Sequence, residues 1–151
     1  MRIIEKPADL HSLVGQEVAV SDWMRIDQSR INAFAAATED QQWIHVDVER
    51  ATRESPYRAP IAHGYLTLSL LPHLFRTAVR IDGTRMSVNY GVNRVRFPAP
   101  VRVGSNIRAH FKLDALTDVN GGVQLEWQVE FDCEGSAKPV CIATTLMRCY
   151  I

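Results

Sequence analysis

The sequence predicts an α+β fold in which an antiparallel sheet wraps around one long central helix. Three observations carry this expectation. An apolar stretch from Gly64 to Arg80 (Tyr65, Leu66, Leu68, Leu70, Leu71, Leu74, Phe75, Ala78 and Val79) reads as a helix buried on most faces. After residue 84 the hydrophobic period changes from helical to two. Asn120-Gly121-Gly122 then separates the two cleanest alternating runs, as the turn of a hairpin would.

The elements follow in chain order. Residues 8–14 read as a short helical turn closed by Gly15, and a strand through Glu17–Trp23 comes next. Asp27 is placed to cap a helix from Gln28 to about Thr38, with Ile31, Phe34, Ala35 and Thr38 on one face. Asp40 to Val46 reads as a loop, and Asp47 as the cap of a short helix over Val48–Arg53. Pro56 and Pro60 enclose another loop. Pro72 interrupts the long apolar helix, where a kink would absorb the lost hydrogen bond. Arg85–Phe97 is a strand candidate stopped by Pro98 and Pro100. Ile107, Ala109, Phe111 and Leu113 alternate with polar residues. So do Val123, Leu125, Trp127, Val129, Phe131 and Cys133. Glu134-Gly135-Ser136 turns the chain into a last strand, Val140–Tyr150. Tyr90 and Trp127 are assigned to the core.

Composition narrows the function classes. A chain of 151 residues, 46% hydrophobic and 23% charged, is the size of a single domain spanning 1–151. Its formal net charge of zero argues against nucleic acid or an anionic membrane as partner. Arginine outnumbers lysine 14 to 3, which suits phosphate contacts, although genomic base composition produces the same bias. Cys133, Cys141 and Cys149 lie in apolar runs without zinc-ligand spacing, so they read as buried free thiols and no metal site is expected. Neither a signal-peptide core nor an apolar stretch of about 18–20 residues is present, and a cytoplasmic protein is expected.

Two polar clusters break the local patterns. The first is Asp40-Gln41-Gln42-Trp43-Ile44-His45, where a carboxylate and an imidazole five residues apart can converge for acid–base work. Spacing alone sooner suggests that Asp40 is a helix stop and His45 a surface residue. The second is Pro60-Ile61-Ala62-His63-Gly64 at the start of the long helix. Free N–H groups in a first turn suit an oxyanion, and a glycine there admits a ligand to the backbone. Its alternative is a glycine needed only for the turn, with His63 hydrogen-bonded to backbone. His11 lies near the surface by local polarity, His73 and His110 show no partner by spacing, and all three read as structural.

In combination these stretches resemble a known family. Ala37-Thr38-Glu39-Asp40-Gln41-Gln42-Trp43-Ile44-His45, with Ala51 six positions on, is similar to the hydratase motif of MaoC-like and R-specific enoyl-CoA hydratases. Ile61-Ala62-His63-Gly64-Tyr65-Leu66-Thr67 resembles the family's second signature. Tyr90 through Val101, with Gly104 following, resembles its third. Glu39, Gln42 and Trp43 depart from the usual Gly, Asn and Pro, and the Asp-x-x-Trp-Ile-His form looks more like the NodN-like branch. Asp and His keep their spacing.

The resemblance implies a hot-dog fold, a homodimer, and hydration of trans-2-enoyl thioesters to (R)-3-hydroxyacyl products, or the reverse dehydration. Asp40 and His45 would share one water as base and acid, and the Gly64 N–H would meet the thioester oxygen. His63, Ser69, Arg94 and Arg96 are weaker substrate-binding candidates, Ser69 by supporting Asp40 and the arginines by meeting phosphates of coenzyme A or an acyl carrier protein. No cofactor is required. The competing readings are a hot-dog thioesterase and a catalytically silent acyl-CoA-binding subunit.

Overall fold

The computed structural model describes all 151 residues. Strand β1 (Arg2–Ile4) leads into a 3-10 turn over Pro7–Leu13, then β2 (Glu17–Val20) and β3 (Met24–Arg25). Helices α1 (Gln28–Thr38), α2 (Trp43–Val46), α3 (Val48–Glu54), α4 (Gly64–Ser69) and α5 (Leu71–Ala78) follow. Strands β4 (Val79–Ile81), β5 (Met86–Arg96), β6 (Asn106–Val119), β7 (Gly122–Cys133) and β8 (Cys141–Tyr150) complete the chain. Asp27 caps α1 and Asp47 caps α3, each by a carboxylate oxygen accepting the N–H three residues on, at 2.9 Å.

The main sheet runs β2-β6-β7-β8-β5, with the short β3 also paired to β6. All its pairings are antiparallel. The β6–β7 hairpin closes over Asn120 and Gly121, and only Gly121 takes the left-handed conformation, at φ 77°. On β7 the odd-numbered residues face inward and are buried, and the even ones face out. The α4–α5 pair lies across this inner face. Phe75 meets Phe111 and Trp127 edge-on, at ring separations of 5.1 and 5.3 Å. Each fully buried side chain of this kind contributes about 1.5–3 kcal/mol, and a continuous cluster of 30 buried residues forms the core.

Three expectations need correction. The apolar run is not one kinked helix to Arg80. Leu70 separates α4 from α5, and the chain leaves the helix at Ala78 to enter β4. Pro72 therefore falls in the first turn of α5, where its missing N–H removes nothing. The Asp40–Val46 segment is not all loop, since Trp43–Val46 forms a single helical turn. Tyr90 is not core: it is 54% exposed on β5, with the Arg148 guanidinium 3.3 Å from its ring centroid. Trp127 is fully buried as expected. No helix is long and apolar enough to cross a membrane.

Candidate active site

Three short connections bring the polar clusters together. At the end of α1, Glu39 adopts a left-handed conformation (φ 61°), which redirects the chain so that Asp40 starts a new segment. Glycine, the residue usual here in the resembled family, adopts that conformation without the penalty a side chain carries. His45 sits on α2 and is buried. That turn is stitched to the strand-like segment before α4, since Ile61 N–H donates to the Ile44 carbonyl at 3.1 Å. The His45 Nδ1 lies 2.6 Å from the Ile61 carbonyl. A carbonyl only accepts, so the proton is on Nδ1 and Nε2 is left as a lone pair.

His63 occupies the N-cap position of α4, immediately before Gly64, and its side chain is 3% exposed. Its Nε2 donates to the Asp40 carbonyl at 3.0 Å and lies 3.9 Å from the Asp40 carboxylate. The His63 ring stacks on His45, with centroids 3.8 Å apart and planes 26° from parallel. Its Nδ1 is buried without a partner, a condition that costs about 1–3 kcal/mol.

Asp40 is the open member of the group, its side chain 51% exposed. Asp40, His45 and His63 each offer a polar atom within 4.8 Å of the others. One water hydrogen-bonded to two groups at about 2.8 Å spans this kind of separation. The same three residue types could ligate a metal, but the ring geometry opposes it. Imidazole lone pairs lie in the ring plane, and two nearly parallel stacked planes do not meet within the roughly 2.0–2.1 Å reach of a metal–nitrogen bond.

Burial lowers the basicity of His45 below the ordinary imidazole value. The Ile61 hydrogen bond opposes this, His63 adds to the lowering, and Asp40 works the other way. At neutral pH His45 is therefore a neutral imidazole, and its nitrogen not bonded to Ile61 can accept a proton from a water.

A cavity of about 250 Å³ opens beside His45 and Gly64. Ile61, Thr67 and Val101 form part of its wall, and Tyr57 and the Phe97-Pro98-Ala99-Pro100 turn form the rim. Gly64 is required here for space. A Cβ built on it would lie 2.7 Å from the Phe97 ring, whereas its backbone needs no left-handed conformation.

The remaining candidates separate. Ser69 does not approach Asp40: its hydroxyl donates to the Tyr65 carbonyl at 2.7 Å, and it lines a second cavity with Leu68, Leu71, Asn89 and Val92. The helical turn between Gly64 and Ser69 points the two residues to different cavities. Arg94 and Arg96 are exposed on β5, and neither is ion-paired within the chain. Arg96 adjoins Phe97 at the cavity rim and donates to the Val95 carbonyl at 2.7 Å. His110 is not partnerless, for its two ring nitrogens bridge Glu17 (3.0 Å) and Asp132 (2.8 Å) across three strands. His11 and His73 are exposed, and all three cysteines are free and buried. Neither Tyr57 nor Phe97 is a site candidate by sequence, although Phe97 lies within the stretch that resembles the third signature, just before the Pro turn that marks where such a rim would lie.

A sheet wrapped around a central helix, with an aspartate and a histidine brought together and the histidine lining a cavity, is an arrangement that can support acid–base chemistry. A family model described as "MaoC like domain" matches residues 9–132, and the chain belongs to this family. It is 48% identical over 149 residues to 3-hydroxyacyl-thioester dehydratase Z of Mycobacterium tuberculosis, covering 98% of both chains. It is also 50% identical over 139 residues to nodulation protein N of Rhizobium leguminosarum bv. viciae, covering 90% of this chain and 86% of that one. Among solved structures it resembles the R-hydratase PhaJ1 from Pseudomonas aeruginosa, with a TM-score of 0.74 at 20% identity over 91% of this chain and 81% of that one. The fold thus agrees with the hot-dog expectation.

Proposed function

We propose that this chain is a 3-hydroxyacyl-thioester dehydratase that interconverts (R)-3-hydroxyacyl and trans-2-enoyl thioesters. The observation that carries this reading is that the Asp40 carboxylate and a ring nitrogen of His45 lie within 4.8 Å of each other, close enough to share one water. The 48% identity to a dehydratase along nearly the whole chain supports it. In the hydration direction the water donates one hydrogen bond to Asp40 and one to His45 Nε2. Its oxygen adds at C3 while Nε2 takes a proton, and the imidazolium returns that proton to C2 on the same face. His45 is thus an acceptor at rest and a donor only after it has been charged. Asp40 orients the water and stabilises the imidazolium. The Gly64 N–H, in the first turn of α4, faces the charge that develops on the thioester oxygen. No step requires a metal or redox cofactor.

The test is an absorbance assay on crotonyl-, octenoyl- and dodecenoyl-CoA. Loss of the conjugated-enoyl signal is expected. Release of free thiol with that signal unchanged would assign a thioesterase instead.

Exposed Arg94 and Arg96 stand where a carrier phosphate would pass the rim. Replacing each by Ala is expected to raise KM several-fold more than it lowers kcat, because the contact exists equally in ground and transition states. An unchanged KM in both variants removes the arginines from the carrier path.

The protein acts as a homodimer in this reading. β5 ends the sheet order as an eleven-residue edge with one side unpaired, and Met86, Val88, Tyr90 and Val92 are exposed along it. An apolar edge of this length invites pairing with a second copy. Light scattering at micromolar concentration is expected to give twice the 17.0 kDa chain mass, and a monomer mass would count against it.

A further inference from the structure

We propose that His63 is a positioning residue that sets the spacing of Asp40, His45 and the Gly64 N–H as one unit. The inference rests on the hydratase reading of the pair and assigns a task to a side chain that this reading leaves unused. His63 touches each member in a different way. Its Nε2–H holds the Asp40 carbonyl at 3.0 Å, fixing the start of the segment whose carboxylate reaches the water. Its ring face lies 3.8 Å from the His45 ring, opposing rotation of the imidazole that must take and return the proton. Its own peptide bond leads into Gly64, so any shift of His63 moves the oxyanion donor. Phe34 of α1 packs on the ring at 5.1 Å and helps confine it.

The burial pattern agrees with positioning rather than with direct chemistry. His63 is 3% exposed, it does not line the cavity beside His45, and its Nδ1 has no partner. A side chain placed only for packing would not need a polar ring with one nitrogen unpaired at this cost.

Two substitutions separate the two contacts. His63→Phe keeps the ring face and loses the donor to Asp40. His63→Gln keeps a donor near Nε2 and loses the ring. Each is expected to lower kcat roughly 10- to 100-fold with KM changed less than about twofold, the signature of misplaced groups. His63→Phe also removes the neighbour that helps hold His45 below its ordinary value, so the acid limb of kcat/KM should move to higher pH. Imidazole nitrogen resonances report the same unit without turnover. In the wild type His45 should carry its proton on Nδ1 and His63 on Nε2, and the His45 signals should shift in both variants.

Wild-type activity in either folded variant would overturn the proposal. So would a loss that follows melting temperature alone, with the pH profile and His45 resonances unchanged. Should both variants fail to fold, the wild-type spectrum decides, because a His63 proton on Nδ1 is incompatible with the Asp40 contact. An inactive wild type on every enoyl-CoA would reject the hydratase reading, whereas these spectra would still test the clamp.

Discussion

Asp40→Asn and His45→Gln are each expected to lower kcat for enoyl-thioester hydration by about 10²-fold or more, with the fold retained. Asn keeps the size and hydrogen bonding of Asp but cannot stabilise a charged imidazole. Gln cannot take up and return a proton. The double variant should be little worse than the poorer single, because both groups act on one water and their effects do not add. Stability should be affected unequally. Asp40 is half exposed and should be lost at little cost, whereas His45 is buried against the Ile61 carbonyl and its replacement should lower the melting temperature modestly. The pH profile carries the sign. His45 must be neutral to accept the water's proton, and burial holds it below the ordinary value of 6.5. Hydration should therefore be level through neutrality and decline only at pH below about 6.5, as Nε2 becomes protonated before substrate arrives. Near-native rates in both folded variants would refute the catalytic assignment.

Gly64→Ala is expected to cost about 10²-fold in kcat, within the range for loss of a single oxyanion donor. The added methyl would come within 2.7 Å of Cδ2 on Phe97. The Phe97 ring must then leave the cavity rim, or the first turn of α4 must move away from the substrate. Trimming the ring in a Gly64→Ala/Phe97→Ala double variant tests which happens. Recovery of the melting temperature without recovery of rate is the expected result, since the methyl still crowds the N–H. Full recovery of rate would mean that glycine serves only to seat Phe97.

Much of this was legible in the residue pattern, for reasons that are local. The inward odd-numbered residues of β7 follow from strict alternation, and Asp27 and Asp47 announce α1 and α3 because a cap is a contact between residues three apart. Asp40 and His45 were visible because their spacing matches a motif, and their convergence needed only a short segment. What stayed hidden depends on contacts distant in sequence. The single turn Trp43–Val46 is too short to carry a period, and it is held by Ile61 and by Gln28, whose amide donates to the His45 carbonyl at 2.7 Å. Tyr90 alternates like a core residue, yet β5 lies at the end of the sheet, where the Arg148 guanidinium meets its ring and the side chain stays 54% exposed. The partners of His110 lie on β2 and β7, so they follow from strand register rather than spacing. His63 was a candidate by its place beside Gly64, but its stack on His45 brings together segments 18 residues apart in sequence.

The three interior cysteines have a practical consequence at the bench. Burial raises Cys149 and pushes the Cys141 thiol up to about 12, so these two offer almost no thiolate, and Cys133 is enclosed as they are, so in the folded protein all three are shielded from an electrophilic dye. A chromogenic thiol reagent added to a reaction should thus record coenzyme A set free from substrate and almost nothing from the catalyst. Once the chain is denatured, the same reagent should count three equivalents per chain. The sulfhydryls that stay dark during turnover become an internal gauge of how much of each preparation is folded.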